Sequence, residues 1–183
     1  VLDTLISSKT RIKLLLKFFL NPDNRAYLRG LEAEFGESTN AIRLELNKLE
    51  GAGMLSSETE GNRKIYHANK KHPLFDGIQG LLRKYVGIDQ LIENIINRLG
   101  NLHEVYLVGD LGKGHDSPVI ELVFVGDIDK GYLTDLIRKG EKLIQKKVSY
   151  VQFSPPEFES GKAEILKGAC LLLWNRHQAE KKA

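Results

Sequence analysis

Thr39, Asn40, Arg43, Asn47 and Lys48 fall on one side of a single predicted helix and offer short polar groups beside long cations. Groups of this kind hydrogen-bond to base edges and phosphate oxygens, so the chemistry they suggest is contact with nucleic acid. The opposite side carries Ile42, Leu46 and Leu49 at i, i+4 and i+7, the apolar stripe that holds a helix to a core. Ser38 is placed to cap the first turn, and Gly53 to end the helix in a left-handed conformation. Ser56–Glu60 and Arg63–Ala68 then alternate as two short strands joined at Glu60-Gly61-Asn62. That turn puts Arg63 and Lys64 near the tip of a hairpin, where cations meet backbone phosphate.

A second group suggests ligand chemistry. Gly109-Asp110-Leu111-Gly112-Lys113-Gly114 lies between two apolar runs, and Glu121 follows in the second of them. Glycines there let backbone amides approach a ligand closely, and Lys113 adds a positive charge. Turn geometry between two strands accounts for the same glycines without any ligand. The histidines are scattered, with no pair at helical metal-ligand spacing, and take surface or capping roles. Cys170 is the single cysteine, set in an apolar strand as a core residue, which excludes an intramolecular disulfide and any multi-thiolate metal site. No metal ligand set and no cofactor is expected.

The elements that must position these groups can be read from their periodicity. Ser7-Ser8 caps a first helix with Ile12, Leu15, Leu16 and Phe19 inward, closed by Asn21-Pro22. Tyr27, Leu28, Leu31 and Phe35 form a shorter second helix, and Gly36 turns the chain into the third. The order helix, helix, turn, helix, hairpin over residues 7–68 resembles the winged helix-turn-helix domain of ArsR-like bacterial repressors. The Leu49–Leu55 and Glu60–Asn69 segments carry that resemblance. It implies binding to double-stranded DNA through Ser38, Thr39, Asn40, Arg43, Asn47 and Lys48, with Arg63 and Lys64 on the wing. The paired cysteines by which many such regulators sense metals are missing from the third helix.

Leu74, Ile78, Leu81, Tyr85, Ile88, Ile92, Ile95 and Leu99 alternate spacings of four and three, and Gly87 with Asp89 marks a stop and a restart. The first helix is expected to dimerise the protein beside the winged helix, because half-sites in DNA are usually read by twofold-symmetric proteins. Beyond it the chain alternates strands (103–110, 119–127, 148–153, 169–174) with helices (130–147 and 155–166). Leu133, Leu136, Ile137, Leu143 and Ile144 are expected to face inward.

The strand–glycine loop–strand at the start of this region resembles the nucleotidyltransferase fold over about residues 89–174. Active members of that fold bind two metal ions through two aspartates on the second strand, aided by a third acid on a later one. Here those places hold Val119, Glu121 and the stretch Ser149-Tyr150-Val151-Gln152, while Asp110 replaces a loop serine. Since two-metal chemistry needs converging carboxylates, the expectation is a catalytically inactive domain and a protein that is not an enzyme.

Twenty-seven Lys/Arg face twenty-four Asp/Glu, for a net charge of +3. The excess lies in residues 1–72, with twelve basic against nine acidic side chains; the remainder holds fifteen of each. No signal peptide or membrane span is apparent, and a cytoplasmic location is expected. The resulting expectation is an α+β chain: a winged helix-turn-helix over 1–72, a connector and dimerisation helix over 73–88, and an α/β nucleotidyltransferase-like domain over 89–183. It is expected to regulate transcription as a DNA-binding homodimer, with the C-terminal domain sensing a small-molecule effector or serving assembly. The alternative is a nucleotidyltransferase of the toxin–antitoxin type, recruited by its winged helix.

Overall fold

The computed structural model describes residues 2–177, and they form two compact units. The first comprises residues up to Tyr85 together with Gly114–Asp116; the second comprises Val86–Lys113 and the chain from Ser117 onward.

The first unit begins with the short helix α1 (Leu2–Leu5) and continues into α2 (Lys9–Leu15), capped by Ser8, whose hydroxyl accepts from the Arg11 amide at 3.2 Å. The next five residues, Leu16–Leu20, widen into a π-helical turn and are all buried. A run apolar on every side except Lys17 cannot keep a single buried stripe, and the wider turn brings Phe18 and Phe19 inside together. A two-residue strand, β1 (Ala26–Tyr27), leads into α3 (Leu28–Phe35) and then α4 (Thr39–Gly51). Strands β2 (Leu55–Glu60) and β3 (Arg63–Ala68) form the hairpin, and β1 adds to β3 to give the sheet order β1-β3-β2.

Helix α5 (Phe75–Val86) packs back on this unit through Phe75, whose ring lies 5.7 Å from that of Phe19, and through Gln79, which donates to the Phe19 carbonyl at 3.2 Å. The stripe it buries is Phe75, Leu82 and Val86, while Leu74 and Leu81 stay 60% and 46% exposed. His72 caps the start of this helix by accepting from the Leu74 amide at 3.2 Å.

In the second unit, α6 (Ile88–Ile96) starts at Gly87 and buries Ile88, Leu91, Ile92 and Ile95. The sheet has the order β6-β5-β4-β7. Strands β4 (Leu102–Val108) and β5 (Val119–Gly126) are antiparallel and separated by the one-turn helix α7 (Gly109–Gly112). Helix α8 (Lys130–Ile144) is the crossover that lets β6 (Lys147–Phe153) lie parallel to β5, as parallel neighbours require. Helix α9 (Pro155–Ile165), closed at its start by a capping box between Ser154 and Glu157, precedes β7 (Leu171–Asn175), which pairs antiparallel with β4.

Alternation along the strands divides the core. Tyr106, Val123 and Val125 point to the face covered by Phe158 of α9, where Tyr106 and Phe158 place their ring centroids 5.5 Å apart. Val105, Leu107, Leu122 and Phe124 are buried on the other face.

Three expectations from the sequence need correction. Leu143 lies on the outer side of α8 and is 54% exposed, because Leu133, Leu136 and Ile137 already fill the inner face. The last strand is half-buried rather than buried, since β7 is an edge of the sheet. Cys170, just before it, is likewise half-buried and not a core residue.

Candidate functional site

Two separate places gather the chemistry. In the first unit, the Ser38 hydroxyl accepts from the Ala41 amide at 3.2 Å, and Ile42, Leu46 and Leu49 are buried. Burial of that stripe leaves Asn40, Arg43, Asn47 and Lys48 exposed on the outer side, with Thr39 half-buried at the first turn. Leu44, also 53% exposed, gives this face an apolar element.

Two carboxylates fix the helix. Glu45 is buried and receives Arg11 of α2 in a two-pronged contact, Nε at 2.8 Å and Nη2 at 3.3 Å. Burial alone would raise its pKa, but the Arg11 hydrogen bond and charge, helped by Lys48, outweigh it and hold the carboxyl below the ordinary glutamate range. Glu50, near the end of α4, accepts from Lys64 at 2.7 Å and from the Ser57 hydroxyl. The Lys64 hydrogen bond, then that of Ser57, lowers the Glu50 pKa. These contacts tie both strands of the hairpin to α4 and set its position beside the exposed face.

Arg63 lies with its guanidinium 4.6 Å from the centre of the Tyr27 ring, and the Lys64 ammonium is 5.1 Å from the Tyr66 ring. Together with Arg29 and Asn62 they line an open groove of about 590 Å³. Cations held over aromatic faces lose little freedom when they bind an anion. Arg25, by contrast, is neutralised by Glu58 and Glu60 on β2. Tyr27 was not legible as part of this groove, because the two-residue strand that carries it has no periodicity to betray it.

In the second unit, β4 ends at Val108 and the chain turns at Gly109 with φ +65°, a left-handed value that favours glycine. A side chain there would collide with Glu121, since a Cβ would fall 1.7 Å from its Oε2. The Glu121 carboxylate is thus held against the loop, accepting from the Asp110 amide at 3.2 Å. Asp110 is exposed, with Lys113 Nζ 3.8 Å from its own carboxylate. Across the sheet Glu121 is flanked by Val108 on β4 and Ser149 on β6, and Val119 precedes it on the same side. Among the described residues, no group of three His, Cys, Asp or Glu converges on a point that could hold a metal ion.

The structure brings Gly109, Asp110, Gly112, Lys113 and Glu121 together, but not Gly114. That glycine belongs with the first unit, packed so tightly on the Lys17 backbone that a Cβ would stand 2.4 Å from its Cα. Beside it His115 contacts Glu34, which also pairs with the buried Lys17, and the Tyr85 hydroxyl donates to Asp116 at 3.2 Å.

No protein-family model matches the chain, and no curated protein matches it in sequence. Several solved structures are similar over about half of it. A toxin–antitoxin MntA–HpeT crystal structure shows 16% identity and a TM-score of 0.40, covering 52% of this chain and 77% of that one. The complex of a tri-AMPylated Shewanella oneidensis HEPN toxin with its MNT antitoxin shows 15% identity and a TM-score of 0.37, covering 52% and 76%. A Sulfolobus solfataricus protein described as a nucleotidyltransferase shows 20% identity and a TM-score of 0.37, covering 55% and 88%. No helix among the described residues is long and apolar enough to cross a membrane. The expectation that the chain is not an enzyme is corrected by these neighbours, one of which is described as a nucleotidyltransferase. The likeness to these solved proteins extends over about half of the chain's length.

Proposed function

We propose that the first unit is a winged helix-turn-helix that binds double-stranded DNA, and that the chain is a transcriptional regulator of this type carrying a nucleotidyltransferase-like second unit. The observation that carries this reading is the orientation of α4. Its whole apolar stripe is buried, Glu45 and Glu50 anchor it at two levels, and Asn40, Arg43 and Asn47 are left pointing outward in one row. Arg43 and Asn47 lie one turn apart, close enough to enter one major groove, while Lys48, Arg63 and Lys64 meet phosphate. Thr39 and the capped turn at Ser38 approach the backbone from the helix start.

A homodimer follows from the same reading, because Leu81 on α5 and Leu74 just before it leave exposed apolar side chains that a second copy could cover. The loop Gly109–Lys113 with Glu121 is the place for a small-molecule effector. Selection of bound fragments from a random duplex pool, followed by footprinting, tests the reading. A protected site of two half-sites supports it, and failure to enrich any sequence refutes it.

A second reading is nucleotidyl transfer by the second unit, recruited through the first as in a toxin–antitoxin system. It is favoured by the strand–loop–strand arrangement, with Glu121 held at the loop where a metal-bound nucleotide would be gripped. In this reading Glu121 is the metal-facing carboxylate. Labelled nucleoside triphosphates with magnesium, incubated with protein and nucleic acid targets, test it. Transfer that disappears in Glu121→Ala would establish the enzyme, and transfer that survives this substitution would remove Glu121 from the chemistry.

A further inference from the structure

The second unit holds a concentration of charge that neither site above uses. Residues 138–147 contain five Lys/Arg and one Glu, although the whole chain carries a net charge of only +3. The fold gathers four of these cations rather than spreading them. Arg138 and Lys142 lie one turn apart on α8, about 6 Å along its axis. Gln145 then takes a left-handed conformation, φ +54°, which ends the helix and turns the chain back. Lys146 and Lys147 are thereby carried to the same open cavity of about 460 Å³, closed at one side by Pro118.

The one acid in the segment does little to neutralise it. Glu141 accepts from the Val148 amide at 2.8 Å, and its other oxygen is 3.9 Å from Lys147 Nζ. Lys146 donates to the Ser117 carbonyl at 3.1 Å, which aims it across the cavity mouth. Arg138 and Lys147 remain 72% and 81% exposed, and the Asp135 carboxylate that approaches Arg138 at 3.9 Å is itself 67% exposed and screened by solvent. Cations at a helix C-terminus are favoured by its dipole, which explains one or two of them. Four around one concavity, with Glu141 the one carboxylate lining it, exceed that need.

We propose that this concavity is a second phosphate-backbone contact, by which the nucleotidyltransferase-like unit holds the same nucleic acid that the first unit reads. The proposal rests on the DNA-binding reading. An open, cationic and nearly acid-free cavity suits a polyanion better than a compact ligand, which would need enclosing polar groups. Phosphate contacts carry no sequence information, so the site adds affinity and no base preference.

The test is fluorescence anisotropy on specific and random duplexes across a salt series. It compares the full chain with the triple variant Arg138→Ala, Lys142→Ala, Lys147→Ala and a milder pair, Lys142→Gln with Lys147→Gln. A control removes two exposed cations elsewhere on this unit, Lys162→Ala with Lys167→Ala. The logarithmic salt slope should fall by about two to three in the triple variant, and by about two in the pair, at roughly 0.9 for each contact removed. Both DNAs should be affected alike and the control should not move. An unchanged slope in both variants, with wild-type binding intact and Arg43→Ala still losing specificity, overturns this proposal alone. Equal loss in the control overturns it as well, by making the effect one of net charge. Absence of wild-type binding removes the DNA-binding reading and this proposal with it.

Discussion

Arg11→Ala would uncouple α2 from α4, and its cost can be worked from the geometry. Arg11 holds Glu45 at 2.8 Å and 3.3 Å, and the Glu45 side chain is only 9% exposed. Removing one partner of a fully buried pair typically costs about 3–5 kcal/mol, because a charge is left in low dielectric. Arg11 itself is 36% exposed, and Lys48 remains 3.4 Å from Glu45, so solvent screening and this partner reduce the figure to about 1–2 kcal/mol. For a unit of this size that is a fall in Tm of roughly 4–8 °C for each kcal/mol.

The pH dependence follows from sign. Glu45 has its folded pKa depressed, so the stability it contributes is present above the ordinary glutamate value of 4.5 and is lost as pH falls through the folded value. The gap between wild type and Arg11→Ala should therefore be widest near neutrality and narrow below that value. Thermal unfolding followed by circular dichroism, at neutral and acid pH, measures both. A loss no larger than that of Lys9→Ala, or a gap that is the same at both pH values, would show that the pair does not hold α4.

Arg43→Ala should cost about 1–3 kcal/mol on the selected site and relax its sequence preference, whereas equal losses on specific and random duplexes would take Arg43 off the bases. Arg63→Ala should weaken all sequences alike and lower the logarithmic salt slope by about 0.9, and an unchanged slope would place the wing away from DNA. Leu81→Asp puts a charge into the exposed row of α5, and sedimentation should show a folded monomer with weaker DNA binding; a dimer of normal affinity would move the interface elsewhere. Gly109→Ala forces a methyl group into the Glu121 carboxylate at a positive φ and should destabilise the second unit by more than about 1 kcal/mol, read as a lower urea midpoint; a neutral effect would mean that the loop yields.

Elements with a strong local period were legible in the sequence. The stripe Ile42, Leu46, Leu49 is buried as its spacing demands, and Ser8 and Ser38 cap the helices that follow them. The hairpin turns at Gly61-Asn62, and Gly87 separates α5 from α6. In each case backbone preference and hydrophobic pattern agree over a few neighbouring residues, and no distant partner is needed. The face row of α5 was legible in the same way, but its buried row, Phe75 and Leu82, was not, because two interleaved apolar stripes do not say which one meets the core.

What tertiary structure alone decided involves residues far apart in the chain. Arg11 and Glu45 are separated by thirty-four positions and Arg25 and Glu60 by thirty-five, and nothing local pairs one cation with one acid among so many. Strand β1 exists only because β3 offers it partners, since two residues cannot hold a strand by themselves. Glu121 keeps its place on β5 in sequence and in space, yet its bond to the Asp110 amide needs the left-handed turn at Gly109. The separation of Gly114 from the rest of its loop has the same origin. Composition and period determine which faces are apolar and where turns fall, because those depend on single side chains and adjacent dihedral angles. Which charges neutralise one another and which remain free to bind is determined by packing, because Coulomb energy depends on distances that only the folded chain defines.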